Sequence, residues 1–171
     1  MRRGVKHLVA ICSAAIVFAS AGPAGAFSKL PPSGLRGLVH TGVHVTVAPA
    51  LISDDEVARI RDAVAAALAA RGISVLSEDE CQFREDCADL EFEIRLLESK
   101  SRSLIAFAVR VYVPQLVRLV RNPQLQFADI LATYSDEQLG LVRAEELSSA
   151  VQATALTLAR SYAVVSRSEN Q

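Results

Sequence analysis

The residues of this chain that could do chemistry are few, and most are cysteine, histidine and clustered acids. Cys81 and Cys87 form a C-x5-C pair. A catalytic dithiol is the sharper reading, but redox motifs use a tighter spacing, and Glu80, Glu85 and Asp86 beside the cysteines would raise a thiol pKa. A structural disulfide fits better, because cleavage of an export signal carrying Cys12 would leave an even count, Cys81 and Cys87. The loop it closes is short, so it should contribute about 2–2.5 kcal/mol.

His40 and His44 lie four residues apart on an extended segment, on the same side but roughly 13 Å from each other. One metal ion cannot be held by both without a bend at Gly42, so they read as ordinary strand histidines. Glu78-Asp79-Glu80, Glu85-Asp86 and Asp89 invite a hard-cation reading. Such a loop usually turns on a glycine, and this one has none, which favours a solvated acidic loop. Glu91 and Glu93 are two apart on one strand face and could pair as carboxylates for glycoside chemistry, though solvent-facing strand positions explain them too. No catalytic, cofactor-binding or metal-binding residues are assigned. No GxSxG, GxGxxG, P-loop, HExxH or EF-hand motif occurs in the sequence.

Charge is unevenly spread. Residues 99–121 carry five bases (Lys100, Arg102, Arg110, Arg118, Arg121) and no acid, whereas residues 54–98 carry 13 acids against five arginines. Arg102, Arg110 and Arg118 share the even positions of one strand and could form a stripe facing an anionic partner. The alternative is internal pairing with Glu91, Glu93 and their neighbours. A formal net charge of −1 and few aromatics argue against a nucleic-acid binder.

These residues need elements to position them, and first an address. Arg2, Arg3 and Lys6 precede an uncharged apolar run from Leu8 to Ala21, which Gly22 and Pro23 break before Ala24-Gly25-Ala26. This is the n-h-c pattern of a secretory signal over 1–26, with cleavage near Ala26 and a mature chain from Phe27. The run is too short for a stable span. Ile11 before Cys12 departs from the small residue that lipoprotein signals place there. Cleavage removes Cys12 and leaves 15 basic against 19 acidic residues. The expected destination is the periplasm or the medium.

Residues 27–42, with Pro31, Pro32 and glycines at 34, 37 and 42, read as an extended leader, 43–167 as one α/β domain and 168–171 as a frayed tail. Val43, Val45 and Val47 alternate as a strand. Ser53-Asp54-Asp55-Glu56 is a capping box opening a helix with Val57, Ile60, Val64 and Leu68 on one face and Gly72 behind it. Ile73–Leu76 is a short strand, parallel to the first. Ser77–Asp89 is an acidic loop.

Leu90–Leu96 and Ile105–Val113 alternate strictly and should pair with Phe92 opposite Val109 and Glu91 opposite Arg110. Pro114 implies an edge or bulge. Phe127–Tyr134 is a further strand, Ser135–Gln138 a turn, and Leu139–Val142 its continuation. A last helix starts at Arg143 or Ala144, with Leu147, Val151, Ala155, Leu158, Tyr162 and Val165 as its apolar stripe. The fold class is α+β, a two-layer α/β sandwich of order β-α-β-β-β-β-α, with a mixed sheet and two amphipathic helices on one face.

The layout from Val43 through Arg71-Gly72-Ile73-Ser74-Val75-Leu76 to Ala88-Asp89-Leu90-Glu91-Phe92, closed by the Leu147–Tyr162 helix, resembles small exported bacterial α/β proteins. These include the amino-terminal domain of the Tol-system propeller protein and the curli-secretion lipoproteins. The Val-Arg-Leu-Val-Arg-Asn-Pro stretch at 117–123 is similar to one in a scattered set of uncharacterised exported bacterial proteins. The resemblance implies a non-catalytic interaction or envelope-assembly module. Its partner would be another envelope protein or an anionic envelope surface. A small exported carboxylate-dependent hydrolase is the alternative.

Overall fold

Alternation along β3 and β4 dictates the architecture. In a strand successive side chains face opposite ways, so Leu90, Phe92, Ile94 and Leu96 share one face, as do Ile105, Phe107, Val109, Val111 and Val113. All nine are buried in one core. The computed structural model describes residues 35–49, 51–99, 103–119 and 122–171, with backbone alone over 115–119 and 122–131. The expected signal segment and Arg102 lie outside these residues.

The elements are β1 (His40–Ala48), α1 (Asp54–Ala69), β2 (Ser74–Val75), α2 (Glu78–Cys81), β3 (Cys87–Glu98), β4 (Leu104–Leu119), β5 (Asn122–Arg143), a 3-10 turn (Ala144–Glu146) and α3 (Leu147–Glu169). They form a five-stranded mixed sheet in the order β2-β1-β3-β4-β5. β1 runs parallel to both β2 and β3, while β3–β4 and β4–β5 are antiparallel. α1 buries Ile60, Val64 and Leu68, and α3 buries Leu147, Val151, Ala155, Leu158 and Tyr162, against the same sheet face. The fold is the expected two-layer α+β sandwich.

Ser53 and Glu56 form the expected capping box: the Ser53 amide donates to Glu56 Oε2 at 3.1 Å, and the Glu56 amide donates to Ser53 Oγ at 3.4 Å. Gly72 turns the chain after α1 with φ of +77°, a left-handed conformation that glycine adopts without strain.

Several expectations change. Ser77–Asp89 is not all loop: Ser77 and Glu80 repeat the capping-box pattern and open α2, with the Ser77 amide donating to Glu80 Oε2 at 3.0 Å. The β3–β4 register is displaced by two residues, so Phe92 faces Val111 and Glu91 faces Tyr112, while Arg110 faces Glu93. Burial constrains only which face each residue takes. The register itself follows from the turn, which the Ser99 amide closes by donating to Leu104 O at 2.9 Å.

Ser135–Gln138 is not a turn but part of one continuous β5, paired with Val109–Tyr112. β5 is an edge strand, so polar residues there keep access to water. Pro114 does mark an irregularity, with a register shift between Val113 and Pro114 just beyond the last β3–β4 pair.

The leader and tail boundaries also move. β1 starts at His40, and Leu35 is fully buried in the core. Residues 168–171 do not fray in full. Asn170 accepts from the Gly37 amide at 2.7 Å and donates from Nδ2 to Leu35 O at 3.1 Å and Leu38 O at 3.3 Å. A polar side chain that satisfies three backbone groups fixes segments far apart in sequence.

Candidate functional site

The expected cysteine pair is present as a Cys81–Cys87 disulfide with Cα atoms 5.3 Å apart. It joins the end of α2 to the first residue of β3, and Cys81 is buried. Replacing both cysteines by alanine should lower unfolding stability by about 2 kcal/mol, as expected for so small a loop. Urea unfolding of the two proteins measures the difference. Equal midpoints would show that the bridge constrains nothing in the unfolded chain.

The bridge sets the geometry of the nearest polar cluster, around His40. Ser74 Oγ lies 2.8 Å from His40 Nδ1, and Asp86 Oδ2 lies 3.6 Å from Nε2. Serine, histidine and aspartate are the residue types of an acyl-transfer triad. Arg84 decides otherwise. Its guanidinium grips both Asp86 oxygens at 2.9 Å, and its Nη2 lies 3.0 Å from His40 Nε2.

A guanidinium only donates, so the neutral imidazole must accept at Nε2 and carry its proton on Nδ1. Nδ1–H then donates to Ser74 Oγ, which leaves no lone pair there to take the serine proton. The cluster is wired as a structural network rather than as nucleophile and base. The Arg84 hydrogen bonds also hold the Asp86 carboxyl below its ordinary pKa.

His44 joins none of this, since its Nε2 lies 3.3 Å from Asp89 Oδ1. That carboxylate packs over Gly42, where a Cβ would collide with Asp89 Oδ1. The two histidines therefore serve different carboxylates. Among the described residues, no three His, Cys, Asp or Glu side chains converge as a metal set. Of the acidic run, Glu80 is committed to capping α2, and its pKa is lowered chiefly by the Ser77 hydroxyl.

A groove of about 570 Å³ opens where β2 stops pairing with β1 after Thr41. His44, Arg61, Asp62, Glu78 and Glu91 contribute its polar lining, and Val45 and Val57 its apolar wall. Arg61 and Asp62 pair with each other across 3.3 Å.

The second candidate surface is the sheet face turned away from the helices. Its residues stand in rows across β3, β4 and β5: Leu97, Ala106 and Leu141; Arg95, Ala108 and Leu139; Glu93, Arg110 and Glu137; Glu91, Tyr112 and Ser135. The first two rows are mainly apolar, and Leu97, Leu139 and Leu141 are 72%, 73% and 64% exposed.

Arg110, expected within a basic stripe, sits between Glu93 and Glu137, with its guanidinium carbon 5.0 Å from the centre of the Tyr112 ring. Its Nε donates to Ser135 Oγ at 3.4 Å. Arg95 binds Glu93 at 2.7 Å. Arg118 shares the even positions of β4, opposite Gln126, and its side chain lies outside the described residues. The structure thus brings only Arg110 of the three stripe arginines onto a described surface. The leucines beside it were missed, because their rows form only when three strands pair.

By architecture the chain is a two-layer α+β sandwich whose second sheet face is left uncovered by the described residues. No family model and no curated protein matches it. A solved structure described as "Crystal structure of uncharacterized protein" superposes with a TM-score of 0.42 at 9% identity, covering 78% of this chain and 95% of that one.

Proposed function

We propose that this protein is an exported, non-catalytic interaction module of the bacterial envelope, and that it contacts another envelope protein through its uncovered sheet face. One observation carries the reading. Three leucines stand mostly exposed in adjacent rows of one sheet face, beside Arg95, Arg110 and Tyr112. An apolar patch rimmed by charge and aromatic surface is the usual character of a protein contact site. The His40 network supports the non-catalytic part, because its donors and acceptors are already matched within the fold. The n-h-c pattern over 1–26, the disulfide and a sequence layout that resembles exported envelope proteins support export.

A photo-crosslinking residue placed at Leu97 in cells tests the contact surface, with the exposed Arg160 on α3 as the control. The expected result is an adduct with another envelope protein from Leu97 and none from Arg160, in material whose amino terminus is Phe27. Adducts from both positions or from neither would overturn the surface, and an amino terminus at Met1 would overturn export.

A further inference from the structure

We propose that two copies of this chain pair along their β5 edges, antiparallel, about a two-fold axis at Gly140. β5 is the last strand of the sheet and pairs only with β4 among the described residues. An edge strand presents a row of backbone N–H and C=O groups that another strand can extend. The sequence of the edge itself selects the occupant. Antiparallel pairing of a strand with its own copy sets opposite each other residues whose numbers add to a constant.

With Gly140 opposite Gly140 of the second copy, Leu139 falls opposite Leu141, and Glu137 opposite Arg143. All four belong to the open face, since they share the parity of the exposed Leu139 and Leu141. Symmetry forms each pairing twice, so two acid–base pairs flank two leucine pairs.

Neighbouring registers lose this match. An axis at Leu139 sets Glu137 against Leu141 and Arg143 against Ser135. An axis at Leu141 sets Glu137 against Glu145 and Arg143 against Leu139. A register of odd sum turns the second copy over and sets the outward leucines against inward-facing positions.

The charged side chains are exposed for the exchange, while the backbone amides of Glu137 and Arg143 donate to Asp136 Oδ1 at 2.9 Å and Glu146 Oε2 at 3.4 Å, acceptors that the new ladder replaces. Arg143 touches Glu145 only at 3.6 Å, with both side chains 67% exposed, a contact that contributes little. Glu137 is exposed as well, with Arg110 of its own chain opposite it on β4. The result is one continuous sheet of twice five strands, with the helices of both copies on one face and the leucine pairs in the middle of the other. This pairing goes beyond the face-directed reading above, because it uses the strand edge and needs no other protein.

Sedimentation velocity of the purified mature protein over a concentration series tests it. Wild type should show a monomer–dimer equilibrium. Glu137→Arg and Arg143→Glu should each weaken the dimer about tenfold, because each puts two like-charge contacts across the axis, and the double swap should restore it. Thermal melts of each variant report the monomer separately, since Glu137→Arg also sets an arginine opposite Arg110 of its own chain, whereas Leu141 stands opposite Ala106. Leu141→Asp should also lose the dimer, independently of the charge pairs.

A monomer at every concentration overturns the proposal, as does a dimer that ignores both reversals or a double swap that restores nothing. A monomer that still crosslinks through Leu97 fails the pairing and leaves the proposed function standing. A dimer with no Leu97 adduct does the reverse.

Discussion

Val109→Asp should yield no folded protein. Val109 is fully buried in the middle of β4, with Ile94 opposite it on β3 and Gln138 opposite it on β5. Among the described residues no cation is buried beside it, so an ionised carboxylate there stands unpaired. It must either stay charged in an apolar medium or take up a proton, and each costs several kcal/mol. Since a domain has only about 5–15 kcal/mol in total, that cost is enough to unfold it.

The informative comparison is Ala108→Asp, one residue earlier on the same strand. Ala108 faces the open side, opposite Arg95 and Leu139, so its carboxylate would meet water and a guanidinium. Circular dichroism should show native structure for Ala108→Asp and none for Val109→Asp. The reverse outcome would mean that the two faces of the sheet are misassigned.

Tyr162→Ala should cost about 3–5 kcal/mol, the range for truncating a large buried ring. Tyr162 is fully buried on α3, its ring meets Tyr134 edge-on at 5.3 Å, and its hydroxyl pairs with the buried Thr41 at 3.1 Å. Tyr162→Phe keeps the ring and strands the Thr41 hydroxyl, so about 1–2 kcal/mol is expected.

Burial, the largest cause for both tyrosines, pushes their pKa values above the ordinary 10.0. Tyrosine is neutral when protonated, so the folded state resists a deprotonation that the unfolded chain accepts freely. The stabilisation is complete below about pH 10 and is lost as pH rises from there through the higher folded values. Unfolding free energies measured from pH 8 to 11 should fall steeply at the upper end. A protein carrying phenylalanine at both positions should show a flatter profile, and equal slopes would reject the linkage.

Much of this core is legible in the residues themselves. The alternation of Leu90 to Leu96 and of Ile105 to Val113 identifies the inward face, and Ser53 with Glu56 identifies the start of α1. What escapes is whatever depends on contacts between distant segments. Parity of burial cannot tell a pairing of Phe92 with Val109 from one with Val111, because both keep the same faces together. Leu35 sits among glycines and prolines, and nothing local predicts that Asn170 will hold its carbonyl.

Ser135 to Gln138 have the composition of a turn and become strand because β4 offers them a ladder at the sheet edge. The same reason hides the candidate surface. Leu97, Leu139 and Leu141 are unremarkable until the sheet assembles them, and His40 gains its character from Ser74 on β2 and from Arg84 and Asp86 in the loop before β3, two segments far from it in sequence.

The Asn170 clasp has a consequence for connectivity. With Asn170 bonded to residues 35, 37 and 38, the stretch before β1 and the end of α3 lie within a side chain's reach of each other. A short flexible linker could join them without disturbing α3 or β1. New ends could then be opened between Ser99 and Leu104, where the chain passes from β3 to β4. Such a circular permutant keeps every strand neighbour and reverses the order in which they are made, so that β4, β5 and α3 come first. Because β1 contributes both parallel pairings of the sheet, the rearranged chain would separate the antiparallel β4–β5 ladder from the parallel half and let each be followed as it forms.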